Sequence, residues 1–258
     1  MTGYTVIEHL SRTRRYDTYE VWSHERACSC VAKALRAERS DATDALRAEA
    51  ELLLELRHPH IVRGFEMLDG PVLVMETLPG ETLAHLLASR SLDDDEVAWL
   101  GLHVASALQY LHGRGFLHLD VKPSNVIASD GRAVLIDLSL ARPPGRYKPG
   151  LGTWCNLAPE QARGDELTAA ADVWGLGTVL FEAATGRAAF EDDAEATSWA
   201  TGDQLDAGFP QLDGPAPPAT GALATAIDAC LAPDPADRPS LPELAAELVA
   251  HAPGARAW

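Results

Sequence analysis

The apolar residues of this chain change their period once, near residue 80, and that change restricts the fold to a sheet-rich part followed by a helical one. Before it, alternating runs such as Tyr4-Thr5-Val6-Ile7, Tyr19-Glu20-Val21-Trp22 and Cys30-Val31-Ala32-Lys33-Ala34-Leu35 read as short strands. One segment interrupts them, residues 41–56, where Leu46, Leu53 and Leu56 share a helical face and Pro59 follows as a stop. Two further strands, over 61–67 and 72–76, flank an Asp69-Gly70 turn. From residue 81 the pattern is helical. Asp93 and Glu96 have capping-box spacing, and Val97, Leu100, Val104, Leu108 and Leu111 form a stripe that runs to Gly113. Further helices are expected over 168–185, 221–231 and 241–250, with a Pro/Gly-rich connector over 208–218. The fold class that follows is α+β. A small sheet lobe with one main helix over 1–78 precedes a larger, mostly helical lobe over 79–258, joined near residues 77–80, with no internal repeat.

With 258 residues and 47% hydrophobic content, the chain has enough material for a sizeable core. Its 38 acidic and 21 basic side chains give a formal charge of -17, which argues against nucleic acid or an anionic membrane as a partner. The four cysteines, Cys28, Cys30, Cys155 and Cys230, make no CxxC pair and are too few for a disulfide framework, so reduced thiols are expected. Cys28 and Cys30 fall on one face of a strand, and a metal site there is not expected. There is no signal-type apolar segment and no apolar run of about 18 residues, so no membrane span is expected and a cytoplasmic protein is.

The chemistry is concentrated in His118-Leu119-Asp120-Val121-Lys122-Pro123-Ser124-Asn125 and, beyond Val134-Leu135-Ile136, in Asp137-Leu138-Ser139. An Asp, a Lys two residues on, an Asn five residues on and a second Asp beyond a hairpin can together orient a hydroxyl and hold magnesium against a triphosphate. A turn rich in Asx residues would account for some of these positions, but a turn does not need all four types in register. The pattern resembles the catalytic and magnesium-binding loops of eukaryotic-type protein kinases, in particular the catalytic domain of bacterial serine/threonine kinases.

That resemblance implies a bilobal protein-kinase-like fold, ATP with magnesium or manganese as cofactors, and a protein of unspecified sequence as substrate. By the same resemblance Asp120 orients the substrate hydroxyl, Lys122 neutralises the γ phosphate, and Asn125 and Asp137 are the metal ligands. Val31-Ala32-Lys33 resembles the third-strand motif whose lysine reaches the α and β phosphates. Residues 49–59 resemble the family's helix C, and the spacing to His58-Pro59 favours Glu49 over Glu51 or Glu55 as the partner of Lys33. Adenine contacts are implied for Ala32, Ile127, the gatekeeper Met75, and the backbone of Glu76 and Leu78. Gly152-Thr153, followed by Ala158-Pro159-Glu160, looks like the serine/threonine branch, with the Thr153 hydroxyl linking Asp120 and Lys122. Asp172-Val173-Trp174-Gly175 resembles the start of helix F, and Arg238 is expected to pair with Glu160. Small-molecule kinases of the aminoglycoside type share the His-x-Asp and Asn pattern but lack the Ala-Pro-Glu segment.

The chain also departs from the family pattern. Residues 10–19 align with the nucleotide loop but contain no glycine: Ser11, Thr13 and Tyr16 stand at the glycine positions, with Ser11 and Thr13 counted among the nucleotide contacts. Arg12, Arg14 and Arg15 either contact phosphates by side chain or form a solvated turn. Leu119 replaces the usual Arg and Ser139 the usual Gly. The 140–151 segment has no Ser or Thr, and Tyr147 is its only phosphorylatable residue, so activity is expected not to need phosphorylation there. Gly64 falls where a bulky apolar residue is usual, with Phe65 as the candidate to fill the gap. The alternative to an active kinase is a pseudokinase that binds a partner and transfers phosphate weakly or not at all.

Overall fold

A computed structural model describes residues 2–190 and 221–252; the connector expected over 208–218 lies outside them. The chain divides into two compact units, Met1–Pro79 with Ile136–Ser139, and Gly80–Leu135 with Leu140–Trp258. The first is built on a five-stranded antiparallel sheet in the order β1-β2-β3-β5-β4, where β1 is Tyr4–Arg12, β2 Tyr16–Ser23, β3 Cys28–Leu35, β4 Gly64–Leu68 and β5 Val72–Glu76. The register sets Lys33 between Thr18 and Leu73, and Ala32 between Tyr19 and Val74. Val21, Cys30, Ala32, Val72 and Val74 form a core cluster on which Phe65 packs.

Helix α1 is Thr43–Glu55, and it begins after the expected residue 41 because residues 37–42 form a tighter helical turn. Leu46, Leu53 and Leu56 are buried as the pattern predicts. β4 opens at Gly64 instead of residue 61, and Ile61 and Val62 are both buried ahead of it. Gly64 leaves no gap for Phe65 to fill. A Cβ at Gly64 would stand 3.0 Å from the backbone carbon and Cβ of Leu53, so a side chain there would push α1 and β4 apart.

In the second unit, α3 (Asp94–Gly113) starts from a capping box in which the Glu96 N–H donates to Asp93 Oδ1 (2.9 Å) and the Asp93 N–H to Glu96 Oε2 (3.1 Å). Its apolar stripe, Val97 to Leu111, is buried against α5 (Ala169–Thr185) and α7 (Leu241–His251). A three-stranded sheet joins β6 (Glu81–Thr82), β7 (Val126–Ser129) and β8 (Arg132–Leu135); α2 (Leu83–Leu87) follows β6, and β9 (Gly145–Arg146) pairs with β10 (Glu166–Leu167). Helices α4 (Pro159–Arg163) and α6 (Gly221–Cys230) complete the described elements. All four cysteines are free thiols, and burial pushes Cys30 up to about 11 and Cys230 up to about 12. Among the described residues, no group of three or more His, Cys, Asp or Glu is arranged to hold a metal, and no helix is long and apolar enough to cross a membrane.

Arg238 closes this unit. Its guanidinium donates to both Glu160 oxygens (2.6 and 2.9 Å) and to the carbonyls of Ala170, Ala232 and Pro233, and lies 4.9 Å from the centre of the Trp174 ring. All five N–H donors thus have acceptors. Replacing it leaves the Glu160 charge buried without a cation, so Arg238→Met is expected to lower unfolding free energy by about 3–5 kcal/mol in urea titrations, and Arg238→Met with Glu160→Gln by clearly less.

Candidate active site

In the first unit the site grows from β3 and α1. Strand β3 presents Lys33, and the α1 face that buries Leu46, Ala50 and Leu53 also carries Glu49, which is buried with them. Lys33 Nζ donates to Glu49 Oε1 and Oε2 (2.9 and 2.8 Å) and to Asp137 Oδ1 (2.9 Å). Glu51 and Glu55 are exposed on the other side of the helix. Burial pushes the Glu49 carboxyl above its ordinary value. It would lower Lys33, but the charges of Glu49 and Asp137 hold that ammonium above its ordinary value. Burial also acts to raise Asp137; the Lys33 charge and hydrogen bond outweigh it and keep the carboxyl well below the usual range. Asp137 has φ +62°, and its Oδ1 also accepts from the Ser139 N–H (3.2 Å).

The β1–β2 turn is closed by its own groups and by Arg36, which donates to the Thr13 carbonyl (3.2 Å) and the Arg15 carbonyl (3.0 Å). Thr13 Oγ1 accepts from the N–H groups of Tyr16 (3.0 Å) and Arg15 (3.3 Å), while the Thr13 N–H donates to the Tyr16 carbonyl (2.8 Å). Arg12 Nε donates to Asp17 Oδ1 (2.6 Å), which also meets His9 Nε2 (3.0 Å). Ser11, Arg14 and Arg15 are exposed; Tyr16 is buried. Ala32 and Met75 are buried in the sheet, while Glu76 and Leu78 are half-buried. The Glu76 N–H is occupied by the Arg63 carbonyl (3.0 Å), which leaves only other backbone groups of this stretch for a ligand.

In the second unit Asp120, Lys122, Asn125 and Thr153 come together. Thr153 Oγ1 donates to Asp120 Oδ1 (2.6 Å), and Lys122 Nζ donates to Thr153 Oγ1 (2.5 Å) and pairs with Asp120 Oδ2 (2.8 Å). Asn125 Nδ2 donates to the Asp120 carbonyl (2.9 Å) and Oδ2 (3.0 Å), which turns its amide oxygen away from Asp120. His118 Nδ1 accepts from the Asp120 N–H (3.2 Å). Ile127 is half-buried on β7, opposite Thr82 and Val134. A carboxylate bridged to a lysine and a hydroxyl is a group poised to accept a hydrogen bond from an incoming alcohol. An ionised Asp137 and the Asn125 amide oxygen are hard donors of the type magnesium takes.

Two residues that the sequence did not single out for this role hold the loop in shape. Asp172, wholly buried on α5, accepts from the His118 N–H (2.8 Å) and the Leu119 N–H (2.7 Å) and meets His112 Nε2 (2.7 Å). Burial alone would raise its pKa, but these hydrogen bonds keep it below the ordinary value. Leu119 between them has φ +64°, a strained conformation for a residue with a Cβ. Gln161 Nε2 donates to the carbonyls of Leu119 (3.0 Å) and Leu151 (2.8 Å), and its Oε1 accepts from the Ala158 N–H (3.0 Å). The signal for Asp172 was its place inside an otherwise apolar helix. Gln161 stands at the capping-box spacing from Ala158, but its carbonyl partners lie 10 and 42 residues away, and no local signal marks those.

Residues 5–252, which take in both units, match the sequence family described as "Protein kinase domain". The serine/threonine-protein kinase PkaA of Streptomyces coelicolor is 35% identical over 86% of this chain and 43% of its own length. A second, probable serine/threonine-protein kinase of that organism is 31% identical over 72% of the chain and 30% of its own length. Serine/threonine-protein kinase ULK3 of Homo sapiens is 31% identical over 74% of the chain and 43% of its own length. The chain spans less than half the length of each of these relatives. From the match along nearly all of its length, the chain belongs to the protein kinase domain family.

Proposed function

We propose that this chain transfers the γ phosphoryl group of ATP to serine or threonine hydroxyls of proteins. The observation that carries the reading is the bonded set of Asp120, Lys122, Thr153 and Asn125. Asp120 accepts a hydrogen bond from the substrate hydroxyl and aligns its oxygen for attack, while Lys122 offers a positive charge to the phosphoryl group in transfer. Thr153 steadies both side chains. Lys33, fixed by Glu49, serves the α and β phosphates. Asn125 and Asp137 hold magnesium, which when bound neutralises charge on the triphosphate. The names of the relatives support the serine/threonine class.

Labelled ATP, magnesium and a generic protein substrate test this directly. Transfer by the wild type is expected to fall about 10²–10⁴-fold in Asp120→Asn. No Asp120-dependent transfer, with manganese as well as magnesium, would sink the reading and favour the pseudokinase alternative. That alternative draws on the β1–β2 turn, whose Thr13 hydroxyl is engaged within the turn itself.

Regulation by phosphate on the segment from 140 to 151 is not part of the proposal. Gln161 ties Leu151 to Leu119 without it, and Tyr147 donates its hydroxyl to the Pro143 carbonyl (2.6 Å) beneath the Arg142 guanidinium. Tyr147→Phe is expected to keep kcat within about twofold of the wild type, while Gln161→Ala, which strands two carbonyls, lowers it about tenfold. Steady-state kinetics checks both, and a large rise in activity on phosphorylation of Tyr147 would contradict the first.

A further inference from the structure

The ammonium of Lys33 has three protons, and all three are engaged, two by Glu49 and one by Asp137. An aromatic ring lies against the same ammonium. Tyr16, the first residue of β2, places its ring centroid 4.6 Å from Lys33 Nζ, within the range of a cation–π contact. The residue is only 6% exposed, and its hydroxyl is buried without a hydrogen-bond partner. Two opposed terms therefore act on this pose. Ring burial and the cation–π contact favour it, while the stranded hydroxyl disfavours it and would gain a partner by moving into water.

Resting on the ATP reading above, we propose that Tyr16 sets the affinity for the nucleotide's phosphates by competing with them for Lys33. Three N–H donors and Cε fill the tetrahedral valence of this ammonium, so an incoming phosphate oxygen must share or take over an N–H now given to a carboxylate. Lys33 is only 7% exposed, and the ring that lies against it must give way for that approach. Binding of a triphosphate then requires the ring to swing off Lys33, and part of the binding free energy goes into that displacement. A residue without a ring at position 16 would leave that approach open. The turn before it need not rearrange, because Thr13 holds Tyr16 through its backbone N–H and carbonyl and not through its side chain.

The test uses the full chain, magnesium and the non-hydrolysable β,γ-imido analogue of ATP, with affinity read by calorimetry and folding by circular dichroism. Tyr16→Gly and Tyr16→Ser are both expected to bind the analogue about tenfold more tightly than the wild type, the loss of one desolvated cation–π contact. Tyr16→Phe keeps the ring and removes the stranded hydroxyl, so it is expected to bind the analogue no more tightly than the wild type. Adenosine, which has no phosphates, should bind all four proteins alike. Unchanged or weaker analogue binding by Tyr16→Gly and Tyr16→Ser overturns the inference. So does an equal gain for adenosine, or a gain in Tyr16→Phe as large as that in Tyr16→Gly. In those cases Asp120-dependent transfer still supports the ATP reading. No analogue binding by any of the four proteins overturns both.

Discussion

The buried carboxylate of Asp172 is the interaction on which the loop from His118 to Asn125 depends. Taking a charge out of water is costly, and three N–H groups from His112, His118 and Leu119 offset that cost. Hydrogen bonds to a charged group contribute about 1.5–3 kcal/mol each, whereas a left-handed residue such as Leu119 stores about 1–3 kcal/mol. Two such bonds flank Leu119, so the strained turn is the stable one. Its side chain is buried, its N–H is held by Asp172 and its carbonyl by Gln161. Asp120, the next residue, inherits its position from a neighbour that has nowhere else to go.

Most of the elements could be read from local pattern, because their causes are local. The capping box of α3, the stripe from Val97 to Leu111 and the alternation in β2 and β3 each need only a few neighbouring residues. Glu49 was legible from its spacing to His58-Pro59, and the structure gives a local reason besides: it lies three residues after Leu46 and four before Leu53, on the buried face, while Glu51 and Glu55 are exposed. The start of β4 was misread because Ile61 and Val62 are buried ahead of the strand without belonging to it. The bonds of Gln161 to Leu119 and Leu151 and the ring contact of Tyr16 were illegible on different grounds. They cross long stretches of chain, and no spacing rule encodes them.

The glycine-free turn shows how a sequence departure can be locally complete. A side chain at position 13 closes the turn with its own hydroxyl, and Arg12 and His9 meet Asp17. The turn is therefore ordered by its own residues and Arg36, where a glycine turn would rely on backbone freedom. What the substitution changes is the side chain it delivers beneath the turn, an aromatic ring over an ammonium.

Arg238 adds a constraint in time. Glu160 lies far earlier in the chain than its cation, and the guanidinium's other acceptors, Ala170, Ala232 and Pro233, are likewise made first. During synthesis the carboxylate must wait, hydrated, until position 238 leaves the ribosome, because burying it alone is too costly. Completion of the second unit's core is thus deferred until Arg238 has been made, and the segment around Glu160 stays open until then.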